Sequence, residues 1–354
     1  MLLAGAGAGT ASARPASGNP PPPKGFEADS ASFVSAQAGF VLGARHCSEL
    51  PCTARLEKTV NGGQSWTRVP APPVSLVPPY TGSPRSAVST VRFENARDGW
   101  LFNPGLWVTT DGGRQWHRAA VPGVVTALAA SDGIVFAAAK PARAGLDTAR
   151  LYRSQVGSTS WSLVPGVSPA GALTVSGHSV WAGIAPELWT TTDSGQHWSA
   201  LPFRCPRAEL SASPVAAASA SDVALACSDQ GFPQPGFSRK VVFTSTDGGR
   251  TFQQAGRPAE PGQVRMLAMP PLNPQVITLT ADSGASYLYR SVDGGHTWNR
   301  RTFFDGGLEV RDLAYASAST GYLIHFSGGP VIAYGLGLMK TVNAGSGWTS
   351  VAIP

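Results

Sequence analysis

The sequence predicts an all-β protein: a single seven-bladed β-propeller of four-stranded antiparallel blades. Three observations support this prediction. The chain has 41 glycines and 30 prolines among 354 residues, which favours short strands and turns over long helices. An octapeptide that ends in an aromatic residue recurs along the chain. The intervals between these aromatic residues run from 37 to 54 residues, the length of one four-stranded propeller blade.

The octapeptide occurs seven times, and its clearest copy is TTDGGRQW at residues 109–116. The third copy, residues 154–161, has Val156 where the others have an acid or an amide. Because valine and asparagine replace the aspartate, a metal-binding role is disfavoured and a structural role is predicted. The predicted structural residues of the seven copies are Asn61, Trp66, Asp111, Trp116, Trp161, Asp193, Trp198, Asp247, Phe252, Asp293, Trp298, Asn343 and Trp348.

Each repeat unit reads as a meander of four short strands, with the octapeptide between the third and the fourth. In the second unit the predicted strands are residues 90–94, 100–102, 106–109 and 115–118. In the seventh unit they are residues 312–315, 321–324, 338–341 and 348–351. Because the last unit keeps its own fourth strand, we expect no strand to be exchanged between the two ends of the chain. The predicted division is a leader and proline-rich spacer at 1–25 and a propeller at 26–354, with blades at 26–70, 71–120, 121–165, 166–202, 203–256, 257–302 and 303–354.

The residue types of the octapeptide suit a tight hairpin. The second glycine, Gly113 in the clearest copy, can adopt the positive φ that such turns require. The aspartate can accept hydrogen bonds from backbone N–H groups of its own turn. The closing tryptophan is expected to pack against the outer strands of its own blade or of the next one.

The octapeptides resemble the Asp-box (BNR) repeat, and the resemblance covers residues 26–354. Short units with a Gly-aromatic pair on the second strand, as at Gly99-Trp100 and Gly321-Tyr322, look most like the photosystem II assembly-factor-like propellers. Sialidase-like propellers are more distantly similar. The resemblance implies a protein-binding propeller without enzymatic activity, with the boxes on the rim away from the binding face.

The N-terminal residues predict that the protein is exported from the cytoplasm. Residues 1–13 are small and apolar and end in Ala-Ser-Ala, which resembles the end of a signal peptide. The predicted location is therefore secreted or extracytoplasmic. Four cysteines fit an oxidising compartment, and Cys47–Cys52 with Cys205–Cys227 is the economical pairing among the three that are possible. No cofactor and no metal site are predicted.

The candidate binding face is the face opposite the octapeptides. Aligning the blades on the Gly-aromatic turn places Arg265 and Arg311 at one equivalent position, where two guanidinium groups can grip a carboxylate. A protein partner is predicted, with an acidic or carboxylate-bearing ligand and a glycan as alternatives. The net charge of +6 is spread along the chain, so nucleic acid is not predicted, and the propeller is expected to be a monomer without a transmembrane segment. The candidate residues are Arg45, His46, Tyr80, Arg85, Arg204, Arg207, Phe232, Arg239, Arg265 and Arg311.

The alternative function is a glycan-active or glycan-binding propeller, such as a sialidase or another glycoside hydrolase. Glycoside hydrolysis needs two carboxylates on either side of the scissile bond. No glutamate of the sequence lies in a recognisable catalytic setting, and the Arg-Ile-Pro start of sialidases is absent. No catalytic residue is therefore predicted.

Overall fold

The computed structural model describes residues 25–45, 52–76, 87–141, 149–169, 172–184, 187–206, 211–212, 215–229, 237–282, 285–305, 310–326 and 336–354. Every regular element in these ranges is a β-strand. The strands form seven antiparallel sheets around one ring and one further two-stranded sheet. The predicted fold class, a seven-bladed propeller, is confirmed.

The first three blades follow one another along the chain. Blade 1 comprises β1 (Phe26–Phe33), β2 (Gly39–Arg45), β4 (Arg55–Thr59) and β5 (Thr67–Val69), and a separate pair joins β3 (Cys52–Thr53) to β6 (Ser75–Leu76). Blade 2 comprises β7 (Thr90–Phe93), β8 (Gly99–Phe102), β9 (Leu106–Thr109) and β10 (His117–Arg118). Blade 3 comprises β11 (Val124–Ser131), β12 (Ile134–Lys140), β13 (Arg150–Gln155) and β14 (Ser162–Val164).

The remaining four blades repeat the meander, except that the innermost strand of blade 5 is split into β19 and β20. Blade 4 comprises β15 (Leu173–Ser176), β16 (Ser179–Ile184), β17 (Glu187–Thr191) and β18 (Ser199–Leu201). Blade 5 comprises β19 (Ser211–Ala212), β20 (Ala216–Ala217), β21 (Val223–Ser228), β22 (Lys240–Ser245) and β23 (Gln253–Gly256). Blade 6 comprises β24 (Gln263–Ala268), β25 (Ile277–Asp282), β26 (Ala285–Ser291) and β27 (Asn299–Asp305), and blade 7 comprises β28 (Val310–Tyr315), β29 (Gly321–Phe326), β30 (Leu336–Thr341) and β31 (Thr349–Val351).

The ring closes without strand exchange. Blade 1 contains β1, β2, β4 and β5, and blade 7 contains β28 to β31, so each takes its strands from one stretch of chain. This confirms the expectation drawn from the last octapeptide. Side-chain packing joins the two blades instead. The ring of Phe33 stacks on that of Tyr322 with 3.3 Å between centroids. The Nζ of Lys340 in blade 7 donates a hydrogen bond to the carbonyl of Gly62 in blade 1 at 2.8 Å.

The hydrophobic core lies between the blades. The described residues form seven apolar clusters, and each cluster fills the seam between two neighbouring blades. In the seam between blades 1 and 2, Phe40 and Leu56 meet Val91 and Leu101, and all four are fully buried. Successive side chains of a strand point to opposite faces of its blade, and in a propeller both faces are covered by neighbouring blades. Both faces of a blade therefore carry apolar residues.

The octapeptide turns are held by their own side chains. The Oγ1 of Thr109 accepts a hydrogen bond from the backbone N–H of Gly113 (3.0 Å) and donates one to Oδ1 of Asp111 (2.9 Å). The same carboxylate oxygen accepts from the backbone N–H groups of Arg114 (2.9 Å) and Gln115 (3.0 Å). These bonds, that of Gln115 first, hold the pKa of Asp111 below its ordinary value. Gly113 has φ of +89°, as a tight turn requires.

The third octapeptide closes in a different way because it lacks the acid. The Oγ of Ser154 donates a hydrogen bond to the backbone carbonyl of Ser160 at 2.6 Å. The backbone N–H of Ser160 donates in turn to the Oγ of Ser158 at 3.1 Å. The turn is therefore kept by two serine hydroxyl groups, and Val156 packs against the apolar seam between blades 2 and 3.

The aromatic residue that closes each octapeptide packs into the seam with the preceding blade, not with the next one. Trp116 of blade 2 joins the cluster shared with blade 1, and its Nε1 donates to the carbonyl of Pro70, just after β5, at 3.0 Å. Trp198 of blade 4 lies edge-on to Phe136 of blade 3 with 5.8 Å between centroids. Contact with the residue's own blade, which the sequence analysis had also allowed, is confirmed, since Trp116 lies edge-on to Phe93 of blade 2 with 6.3 Å between centroids. The next blade was the wrong neighbour, because a repeat period is the same in both directions around a ring.

One predicted disulfide is confirmed. Cys205, in the connection from blade 4 to blade 5, is bonded to Cys227 of β21, with 5.8 Å between their Cα atoms. Cys52 is also disulfide-bonded, and its predicted partner Cys47 lies outside the described residues. Among the residues that the structure describes, no helix has the length and apolar character needed to cross a membrane.

Candidate functional site

A cavity of about 400 Å³ lies at the centre of the ring. It is lined by the innermost strands of six blades, the exception among the described residues being blade 5. The lining residues lie near the beginning of these strands, as Thr90 does in β7, or just after the second strand, as Asn103 does after β8. In a meander these positions lie at the end of the blade opposite the turn between the third and fourth strands. The cavity therefore opens on the face opposite the octapeptides.

Four β-bulges direct side chains into this cavity. In β1, β11, β24 and β28 the register with the second strand slips by one residue at the same place in the blade. The extra residue of each bulge has no paired partner on the second strand, and its side chain is turned away from the ladder. All four extra residues line the cavity: Asp29, Thr126, Arg265 and Arg311.

The two bulged arginines each pair with an aspartate. The Nη1 of Arg311 donates to Oδ1 of Asp29 at 2.6 Å, which joins blade 7 to blade 1. The Nε of Arg265 donates to Oδ1 of Asp282 at 2.5 Å, and both residues belong to blade 6. The sequence alignment had placed Arg265 and Arg311 at one mouth of the channel, and the structure brings both to the central cavity. Their role in binding stays a prediction.

A third arginine and its partner were missed by the sequence analysis. Arg92 of β7 makes a two-point contact with Asp312 of β28, with Nη1 to Oδ2 at 3.0 Å and Nη2 to Oδ1 at 3.2 Å. Oδ2 of Asp312 also accepts from the Oγ of Ser30 (3.0 Å) and from the backbone N–H of Ala31 (3.1 Å). This carboxylate thus connects blades 7, 1 and 2. Little in the sequence signals this contact, because Arg92 occupies a polar position of the alternating strand TVRF.

The other described candidates lie outside the central cavity. Arg239 donates through Nε to Oδ2 of Asp229 at 2.8 Å and lines a separate cavity of about 150 Å³. Lys240, beside it, is buried, and burial lowers its pKa to about 8, although its Nζ donates to backbone carbonyls such as that of Glu260 (2.7 Å). Arg45 and Arg204 are exposed. The candidates that fall outside the described residues are His46, Tyr80, Arg85, Arg207 and Phe232.

The cavity suits recognition of a polar group. Its described lining holds three arginines and two aspartates, and both aspartates accept hydrogen bonds from an arginine of another blade. Pockets that bind a ligand typically combine an apolar wall with a few fixed polar groups. No group of three or more metal-ligating side chains is found among the described residues.

No protein-family model and no curated protein matches the sequence. Solved structures do match. A structure titled "YCF48 bound to D1 peptide" aligns with a TM-score of 0.54 at 19% identity and covers 91% of this chain and 94% of that one. This likeness concerns the fold, since the identity is low.

Two glycoside hydrolases of family GH74 have a similar fold. The xyloglucanase from Xanthomonas campestris aligns with a TM-score of 0.58 at 16% identity over 93% of this chain. An ancestral GH74 enzyme aligns with a TM-score of 0.56 at 14% identity over 92% of this chain. The chain spans 53% and 45% of the length of these two enzymes. Among proteins of known structure, the chain is thus similar in fold to a peptide-binding propeller and to parts of carbohydrate-cleaving enzymes.

Proposed function

We propose that this propeller is a binding module that takes a segment of a protein partner into its central cavity. The observation that carries the proposal is the set of four bulges, which place Asp29, Thr126, Arg265 and Arg311 in one cavity. Bulges concentrate at functional sites because they re-aim individual side chains while the rest of the sheet stays paired. A rigid ring with a polar central cavity is well suited to hold a ligand in one orientation.

The comparisons and the disulfide give further support. The propeller named YCF48 was solved with a bound peptide, and it matches this chain over most of both lengths. The Cys205–Cys227 disulfide fits an oxidising compartment. We infer an extracytoplasmic location, with residues 1–25 as a signal-like leader and spacer. We also infer that the seven octapeptides are Asp-box repeats, a relationship supported by the turn hydrogen bonds of Thr109 and Asp111.

Binding without catalysis is preferred to glycoside hydrolysis. Hydrolysis of a glycosidic bond requires one carboxyl group as acid and a second as base or nucleophile. In the described lining, Asp29 accepts a hydrogen bond from Arg311, and Asp312 accepts several from Arg92, Ser30 and Ala31. These carboxylates hold neighbouring blades together. Their present contacts are therefore those of structural residues.

The proposal is tested by blocking the cavity. Twelve-residue peptides are selected from a random phage-displayed library on the folded protein, and the tightest binders are measured by isothermal titration calorimetry. Thr126→Trp fills the cavity and is expected to weaken binding at least tenfold. Thr246→Trp, at an exposed position of the fifth octapeptide on the opposite face, is the matched control and should leave the affinity unchanged.

Two results would overturn the proposal. One is a library that yields no binder, or binders whose affinity is the same for the wild type and for Thr126→Trp. The other is turnover of a sialoside or xyloglucan oligosaccharide that is lost when Asp29 or Asp312 is changed to asparagine. The second result would establish the alternative, a glycan-active propeller.

A further inference from the structure

The walls of the central cavity differ in polarity across the channel. Blades 6 and 7 contribute the guanidinium groups of Arg265 and Arg311. In a ring of seven blades, blade 3 lies across the channel from the junction of blades 6 and 7, and blade 4 is its neighbour. Blades 3 and 4 contribute the apolar side chains of Leu128 and Leu173 beside the uncharged Thr126, whereas blades 6 and 7 add the apolar Met266 and Val310 to their charged residues. A ligand that satisfies both walls must carry an anionic group and an apolar group close together.

The three arginines of the cavity have different roles. Arg311 is 14% exposed and bonds to Asp29 of the next blade, so the seam between blades 7 and 1 depends on it. Arg92 reaches across blade 1 to Asp312 of blade 7. Arg265 is 48% exposed, the largest fraction of the three, and its aspartate partner belongs to its own blade. Arg265 is therefore the arginine of the three that is most accessible to a ligand.

We propose that the cavity recognises a peptide segment in which a carboxylate lies next to an apolar side chain. Arg265 binds the carboxylate, and the apolar side chain packs against Leu128 and Leu173. Planar guanidinium groups bind carboxylates with two parallel hydrogen bonds, which gives this contact its selectivity. The inference rests on the proposed function and specifies the class of ligand. The carboxylate can belong to an Asp or Glu side chain or to the C-terminus of the partner.

The experiment compares selections from peptide libraries. A random library with amidated C-termini and a second library with free C-termini are both selected on the wild-type protein, on Arg265→Gln and on Arg250→Gln. Arg250 is an exposed arginine of the fifth octapeptide on the opposite face, so its variant is the matched control. We expect wild-type binders with an acid beside a leucine, isoleucine, valine, methionine or phenylalanine. If the acid and its apolar neighbour are enriched in the amidated library, the carboxylate belongs to an Asp or Glu side chain. If an apolar residue at the last position is enriched only in the library with free C-termini, the carboxylate belongs to the C-terminus.

The variants then test each half of the inference. Arg265→Gln should lower the affinity for the selected peptides at least tenfold and abolish the enrichment of acids, whereas Arg250→Gln should do neither. Leu173→Gln, on β15 in the wall that receives the apolar side chain, makes that wall more polar and should reduce the enrichment of the apolar residue. Binders that lack an acid, or binding unchanged by Arg265→Gln, would overturn the inference. Either result would still be compatible with the proposed function if Thr126→Trp blocks binding of the selected peptides.

Discussion

Glu27 is a carboxyl group inside the protein with an incomplete set of hydrogen bonds. It lies in β1 and is 6% exposed, and its Oε1 has no hydrogen-bond partner in the structure. Burial raises its pKa from 4.5 to about 7 because the charged form loses its hydration. The residue therefore reduces the stability of the folded protein near neutral pH.

A pH-dependent effect on stability follows from Glu27. Between about pH 4.5 and 7 the folded state keeps a proton that the unfolded state has released, so the free energy of unfolding falls as the pH rises. Glu27→Gln removes this loss and should raise the free energy of unfolding by about 1–3 kcal/mol at pH 8, with little change at pH 4. Urea unfolding of the wild type and of Glu27→Gln at several pH values measures this difference in the free energy of unfolding. The partly exposed Glu94, changed to Gln, is the control. A gain that is equal at pH 4 and pH 8 would contradict the assignment.

At the scale of the element, the octapeptide turn depends on one buried hydroxyl group. Thr109 is fully buried, and its Oγ1 satisfies the backbone N–H of Gly113 while it orients Asp111. Its neighbour Thr110 is exposed. The two threonines thus offer the same substitution in two environments.

Thr109→Val keeps the shape of the side chain but leaves the N–H of Gly113 buried without an acceptor. We expect it to lower the free energy of unfolding by about 1–3 kcal/mol. Thr110→Val should change it by less than about 0.5 kcal/mol, as for most surface substitutions. Chemical denaturation of the two variants gives both values. Equal effects of the two substitutions would show that the hydroxyl group does not hold the turn.

The elements differ in how well the sequence predicts them. The strands of blade 2 were predicted within two residues, because alternating apolar residues and the octapeptide fix both strands and turns. The bulges were not predicted, since a bulge depends on the register between two strands, and Arg265 and Arg311 occur in ordinary strand sequences. Aligning the blades nevertheless found both arginines. It missed Arg92, whose contact with Asp312 joins residues 220 positions apart.

At the scale of the molecule, the hydrogen bonds of Asp312 help to close the ring. Its carboxylate accepts hydrogen bonds from Ser30, Ala31 and Arg92, so that three blades meet at one side chain. It lies where blade 7 meets blade 1, two neighbouring blades that do not follow one another along the chain.

Asp312→Ala should lower the free energy of unfolding by about 2–4 kcal/mol, because it leaves the buried donors of Ser30 and Ala31 without an acceptor. The control is Asp98→Ala, since the carboxylate of Asp98 accepts a hydrogen bond from Asn95 of the same turn. Its effect should stay below about 1 kcal/mol. Thermal and urea unfolding compare the two variants. Similar losses for both would show that Asp312 does not close the ring.

The placement of the apolar clusters between blades has a consequence for how the protein unfolds. In an open array of repeats, the end units have one neighbour each and can detach first. In this ring, every blade shares an apolar cluster with a neighbour on each side, including blades 1 and 7 through Phe26 and Tyr322. Removing any one blade therefore exposes two clusters at once. No blade can therefore detach in the way that the end unit of an open array does, and the seven blades are bound into a single cooperative unit.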